Sequence, residues 1–315
     1  MASTGSSSRI KAYSRRGAIA GGLTLAGLGS LAGFAYNAAP SFWQRFRDDL
    51  GREIEPAPAS PNPANWPDTG LHAAWLGHAT VLLRLDGFTI LTDPVLFDRV
   101  GIDFYVATLG IKRLIAPALE APDLPPVDLV LLSHAHFDHL DLPTLRALES
   151  RRTTVITAPG TIDLLNPSRW RSATELKWGQ VARAGPATMR GVEVNHWGAR
   201  VRSDTWRGYS GYVIETDRYR VLFGGDTAWT ESFREVKSSR RLDLAIMPIG
   251  AYNPWIHYHC TPEQSWAMAA HAGAEFFLPV QHQTFELSRE PRREPLERLA
   301  EAAGSARDRV VLQDI

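Results

Sequence analysis

From about residue 70 onward, short apolar runs alternate with turn residues. "LHAAWLG" (71–77), "TVLLRLDG" (80–87) and "FTILTDP" (88–94) predict three successive strands, with Asp86-Gly87 as a hairpin turn. "VDLVLLS" (127–133) and "LDLAIMPIG" (242–250) are apolar without alternation, as expected of strands covered on both faces. "LPTLRALES" (142–150) has helical spacing, and "TTVITAP" (153–159) returns to strand. "YSGYVIETDRYRVLFGGDT" (209–227) reads as two strands joined at Thr216-Asp217-Arg218. "TPEQSWAMAAHAG" (261–273) predicts a helix with Thr261 as N-cap, Pro262 in its first turn and Gly273 closing it. "EFFLPV" and "RVVLQ" supply late strands around a helix near 292–302. Strands followed repeatedly by helices indicate a layered α/β domain over 70–315.

Ahead of that domain the pattern breaks down. "EPAPASPNPANWPD" (55–68) is too rich in proline to form a regular element, so 41–69 reads as a linker. Residues 1–40 are different again. Arg9, Lys11, Arg15 and Arg16 precede an uncharged Gly/Ala/Leu-rich stretch, the layout of an export signal. Ser14-Arg15-Arg16 resembles a twin-arginine signal. The expectation is export, with the protein either periplasmic or held by an uncleaved anchor and facing outward. About 20 apolar residues suffice to span a bilayer.

Charge and cysteine content narrow the chemistry. Lys+Arg and Asp+Glu are equal at 34 each, without long blocks of one sign, which argues against a nucleic-acid partner. Cys260 is the only cysteine, so intramolecular disulfides and thiolate clusters are excluded. Any metal must be held by nitrogen and oxygen.

Such ligands crowd one stretch. In "LLSHAHFDHLD" (131–141), His134, His136, Asp138 and His139 follow a predicted buried strand. In an extended segment His134 and His136 point the same way and can grip one ion, and a bend then lets Asp138 and His139 reach a second. The donor set suits zinc, and iron or manganese also fit it.

The H-x-H-x-D-H pattern resembles the metallo-β-lactamase superfamily. "WLGHATVLLRLDGFTILTDPVLFDR" (75–99), "NHWGAR", "FGGDT", "IMPIGAYNP" and "HCTPEQS" further resemble its N-acylphosphatidylethanolamine-hydrolysing phospholipase D branch, in order over most of residues 71–290. The resemblance implies a four-layer αββα sandwich with a one- or two-metal site at one end of the paired sheets, and two zinc ions per chain are the expectation. It implies His196 as a third histidine on the first metal, Asp226 as the bridging carboxylate and a last histidine after a late strand. Relatives place that histidine three residues before Thr-Phe. Gln281 holds the position here, and His282 beside it is taken as the ligand, because neighbouring strand residues face opposite ways.

By the same resemblance Asp138 and Asp226 are the catalytic carboxylates: the first orients an attacking water that the metals acidify, and the second fixes the metal spacing. Asp93 in "LTDP" is either a partner that orients a metal histidine or a strand-end capping residue. His259, Arg200, Tyr252 and Trp255 are the weaker substrate candidates. The expected reaction is hydrolysis of a phosphodiester bond in a phospholipid at a membrane surface. Lactone or other carbonyl-ester hydrolysis on the same metals is the alternative, and a non-catalytic binding protein the third reading.

Overall fold

Successive strand residues project to opposite faces, and this divides the apolar side chains of the domain into layers. The computed structural model describes Arg47, Asp49 and residues 51–314, so the signal or anchor expected over 1–40 lies outside the described residues. The chain divides into two units, Met1–Arg52 and Glu53–Ile315. In the first, the Arg52 guanidinium donates to the Asp49 carboxylate at 2.8 Å. Among the described residues, no helix is long and apolar enough to cross a membrane.

The second unit opens with strands β1 (Leu71–Gly77), β2 (Thr80–Leu85) and β3 (Phe88–Thr92), then a separate hairpin of β4 (Arg99–Asp103) and β5 (Thr108–Lys112). Strand β6 (Leu129–Leu132), helix α1 (Leu142–Leu148), β7 (Thr154–Thr157) and β8 (Ser172–Glu175) follow. The second half contains β9 (Val181–Ala184), β10 (Ala187–Val192), β11 (Gly211–Glu215), β12 (Arg220–Phe223) and β13 (Leu242–Pro248). Helix α2 (Pro262–Ala272), β14 (Ala274–Val280) and helix α3 (Glu294–Ala303) complete it. One sheet runs in the order β1-β2-β3-β6-β7-β8, the other β14-β13-β12-β11-β10-β9.

Leu129 and Leu131 of β6 join Val221, Phe223, Leu244, Ile246 and Leu278 in the core between the sheets. Their neighbours Val130 and Leu132 turn outward to Leu145 of α1 and to Trp170. Val213, Leu222, Ala245 and Phe277 turn outward on the other sheet, towards Met268 of α2 and Leu299 of α3. The result is a four-layer αββα sandwich, as the sequence resemblance implied. Asp86 and Gly87 both have positive φ (47° and 85°), which lets β2 and β3 pair directly across two residues.

Two expectations about the margins change. The folded unit starts at Glu53 rather than near residue 70. The proline-rich segment lacks regular structure beyond one short 3-10 turn, yet it docks. Glu55 bridges Ile115 with backbone bonds of 2.9 and 2.8 Å to Leu114 and Ala116, and Trp66 packs on the core beneath Arg84. "RVVLQ" forms no strand: its Val310 makes an isolated bridge to Phe277.

Candidate metal centre

The ends of β3, β6 and β12 converge, with segments after β10 and β14, on one buried cluster. β6 ends at Leu132, and two residues later the chain presents His134 at 1% exposure. His134 Nε2 lies 2.8 Å from His136 Nδ1, and His196 Nε2 lies 3.3 Å from the same atom. The Asp226 Oδ2 atom sits 3.9 Å from His134 Nε2 and 3.7 Å from His196 Nε2. His134, His136, His196 and Asp226 therefore offer four ligand atoms within 4.8 Å of one another. His139 turns its Nε2 to within 3.1 Å of Asp226 Oδ2 and 3.5 Å of Asp138 Oδ2, which makes a second group beside the first.

The orientation of these ligands is imposed from outside. Asp93, with 0% exposure, accepts from His139 Nδ1 at 2.7 Å, from Ser133 Oγ at 2.5 Å and from the Ser133 amide at 2.7 Å. That commits His139 to present Nε2 inward. His196 Nδ1 donates to the Tyr258 carbonyl at 2.8 Å and thereby also turns Nε2 inward. Asp93 is thus the partner of a ligand candidate, the first of the two roles open to it in the sequence. Gly225, at φ 58°, lets the chain bend so that Asp226 points back over β6.

Sequence reasoning missed His78. It follows β1, has a positive φ of 53°, and its Nε2 contacts Asp138 Oδ2 at 2.9 Å. His78, Asp138 and His139 form a further group of potential ligand atoms. The signal was the same as for His134, a histidine directly after an apolar strand, but without a second histidine beside it.

The electrostatics of the cluster match a cation site. Burial pushes the His136 imidazole down to about 4 and His196 to about 3, and it holds His134 well below the usual range, so these rings are neutral donors near pH 7. Burial works against ionising Asp226, yet His139, His259 and His196 hold it well below the carboxylate range. His139 Nε2 and Asp226 Oδ1 are buried without a hydrogen-bond partner. Buried polar atoms without partners are costly, and a cation between them would satisfy both. With neutral imidazoles and carboxylate oxygen and no sulfur, the residues fit a divalent metal.

Other candidates fall elsewhere. His282 is not turned into the cluster. β14 ends at Val280, and Gln281 takes φ 61°, so strand alternation no longer governs where the next side chains point. The buried His282 ring packs on Trp75 with centroids 4.3 Å apart, while the Gln281 amide donates to Asp226 Oδ2 at 2.5 Å. The expectation that His282 faces the metals is corrected accordingly. Arg200 is not free for phosphate: its guanidinium donates to the Ala135 and Leu140 carbonyls at 2.9 and 2.7 Å and lies over Phe137, bracing the ligand loop. Tyr252 is buried, and its hydroxyl donates to Glu294 at 2.7 Å. Trp255 is exposed on the segment before α2, and His259 Nδ1 approaches Asp226 Oδ2 at 3.8 Å. Trp197, a third exposed, contacts His136 and packs against Tyr258 with centroids 4.2 Å apart, so the cluster has an aromatic rim.

Residues 89–282 match the family described as Beta-lactamase superfamily domain. The chain belongs to that superfamily. An uncharacterised protein of Mycobacterium bovis is 36% identical over 272 residues, 82% of this chain and 71% of its own length. The N-acyl-phosphatidylethanolamine-hydrolyzing phospholipase D 1 of Caenorhabditis elegans is 32% identical over 63% of this chain and 60% of its own length. Among solved structures, the metallo hydrolase Igni18 of Ignicoccus hospitalis superposes with a TM-score of 0.55 at 20% identity, covering 78% of this chain and 96% of that one. At that identity the likeness concerns the fold. As a member of the superfamily with this ligand cluster, the protein is a metal-dependent hydrolase related to the N-acylphosphatidylethanolamine-hydrolysing branch.

Proposed function

We propose that this hydrolase cleaves phosphodiester bonds of phospholipids, N-acylated ones included, in the manner of a phospholipase D. The observation that carries the reading is the extended match to the C. elegans phospholipase, 32% identical over 219 residues, far more chain than the H-x-H-x-D-H motif alone. The aromatic rim supports it, because Trp197, Tyr258 and Trp255 give the apolar part of a lipid a surface beside the reactive centre.

Bound metal would supply Lewis-acid polarisation of a phosphoryl oxygen and a water acidic enough to ionise near neutral pH. His134, His136 and His196 would hold one ion, Asp138 and His139 a second, with Asp226 between them. Zinc is the first choice for these ligands. Asp93 fixes the His139 imidazole and the Tyr258 carbonyl that of His196, so little reorganisation is needed when substrate binds. Asp138, steadied by His78, is placed to orient an attacking water.

A membrane surface is part of the same proposal. The tip of the β4–β5 hairpin carries Phe104, Tyr105 and Val106 at 57%, 85% and 94% exposure. Asp103 at its base is tied to Arg146 of α1 at 2.6 Å, and Val100 and Ile111 of the hairpin pack around Phe137 of the ligand loop. Three adjacent exposed apolar residues on a hairpin that packs against the ligand loop suit insertion among lipid headgroups. Export through the twin-arginine-like segment would place the enzyme at the outer face.

Metal-loaded protein incubated with N-acylphosphatidylethanolamine vesicles is expected to release phosphatidic acid. Turnover of lactones with inert phosphodiesters would instead move the protein to the carbonyl-hydrolysing branch.

A further inference from the structure

The superfamily pattern asks for a histidine where this chain has Gln281, and the cluster shows what fills the corner. Four buried polar atoms there lack hydrogen-bond partners: His139 Nε2, Asp226 Oδ1, His259 Nδ1 and Gln281 Oε1. Three of their residues face the same carboxylate oxygen. Asp226 Oδ2 lies 3.1 Å from His139 Nε2, 3.8 Å from His259 Nδ1 and 2.5 Å from Gln281 Nε2.

Gln281 is committed elsewhere. Its backbone amide donates to the His78 carbonyl at 3.0 Å, and its own carbonyl abuts Gly250 so closely that a Cβ there would sit 2.1 Å away. From that fixed backbone its side-chain amide donates to Asp226. Such a hydrogen bond orients a ligating carboxylate but does not itself ligate.

His259 has no comparable employment. Its amide donates to the Trp255 carbonyl at 3.0 Å, and two residues on, Thr261 caps α2 with a reciprocal hydrogen-bonded pair to Gln264. The ring is thereby mounted on the rigid entrance of a helix, beside Gln281 and edge-on to His196 with centroids 5.1 Å apart, and its Nδ1 faces Asp226 Oδ2 at 3.8 Å.

We propose that His259 Nδ1 is the missing ligand of the second metal, taking the corner given up by Gln281, which instead clamps the bridging Asp226. The inference rests on metal binding at this centre and is indifferent to which bond the enzyme cleaves, so it stands or falls apart from the phospholipase reading.

Metal content per chain after zinc loading and desalting of the full-length protein tests it. Wild type is expected to carry two ions, H259A one, and the double variant H259A/Q281H two again, because an imidazole at 281 would restore the corner. Melting temperature of each metal-free variant shows whether the fold is retained. The visible spectrum of the cobalt-loaded proteins reports the ligand change independently of activity. Wild type holding one ion, H259A keeping two, or a folded double variant that fails to regain the second would each overturn the assignment.

Discussion

Replacing Asp93 by asparagine isolates the carboxylate that holds His139 and Ser133 from behind. The carboxylate is fully buried and faces only donors: Ser133 N at 2.7 Å on Oδ1, with Ser133 Oγ at 2.5 Å and His139 Nδ1 at 2.7 Å on Oδ2. Asparagine keeps the shape and one acceptor oxygen. If that oxygen stays on Ser133 N, the new NH2 group confronts the other two donors. The Ser133 hydroxyl can rotate to accept, but a His139 Nδ1–H cannot, so the imidazole is pushed to the other tautomer and its proton moves to Nε2. That nitrogen is then no longer a ligand. Loss of such an outer partner lowers metal affinity by roughly 10–100-fold, about 1.4–2.7 kcal/mol. Loss of one hydrogen bond to a charged group removes about 1.5–3 kcal/mol from the stability of the metal-free fold. Competition with a chelator measures the first quantity, and urea unfolding of the metal-free protein the second. D93N binding metal as tightly as wild type would refute the claim that Asp93 sets the His139 tautomer.

Three further outcomes are expected. Gly225→Ala must hold φ 58° and place a Cβ 2.8 Å from Ser133 Cβ and 3.0 Å from the Ser210 carbonyl, so it should lose about 2–4 kcal/mol in urea unfolding together with metal affinity. Unchanged unfolding would mean the turn has room that the structure does not show. Burial pushes the His282 imidazole down to about 3, against about 6.5 when unfolded. Its contribution to stability is therefore present above pH 6.5 and lost as pH falls towards 3, at about 1.4 kcal/mol per pH unit. His282→Phe should flatten the stability profile between pH 7 and 5 relative to wild type, and parallel profiles would show that the ring titrates normally. Phe104→Ser with Tyr105→Ser should reduce co-sedimentation with phospholipid vesicles several-fold while leaving turnover of a soluble phosphodiester intact. Equal sedimentation would remove the hairpin from the membrane reading.

Where side-chain pattern alone decides the structure, the sequence was legible. β1 occupies the same seven residues, Leu71–Gly77, that the apolar run marked, and α2 begins after the Thr261 cap and ends before Gly273 at φ 80°. The H-x-H-x-D-H cluster was equally plain, since so many coordinating groups after a buried strand have few other uses. The β4–β5 hairpin was not. Gly101 and Gly110 face each other across it with no room for a Cβ, and glycines opposite one another leave no apolar alternation to read. Arg200 and Tyr252 were misassigned for a different reason. A guanidinium or a hydroxyl shows no sign in sequence of whether it faces a substrate or a carbonyl such as Leu140 and a carboxylate such as Glu294, because those partners come from remote segments.

The choice between Gln281 and His282 failed for a reason tied to the centre itself. Strand alternation was extended one residue too far. Beyond Val280 the backbone enters the left-handed region at Gln281 (61°) and again at Gln283 (58°), and His78 (53°), Asp93 (31°) and Ala251 (62°) do the same after their own strands. Each such non-glycine residue costs about 1–2 kcal/mol and is retained only where its surroundings enforce it. Of the five, His78 touches Asp138, Asp93 holds His139, and Gln281 holds Asp226. A left-handed residue at a strand end turns the chain abruptly and sends its side chain back over the sheet edge, a direction that a regular strand ending does not offer. The rule that reads strands well thus breaks down at His78, Asp93 and Gln281, where the fold departs from extended geometry to aim these side chains at the cluster.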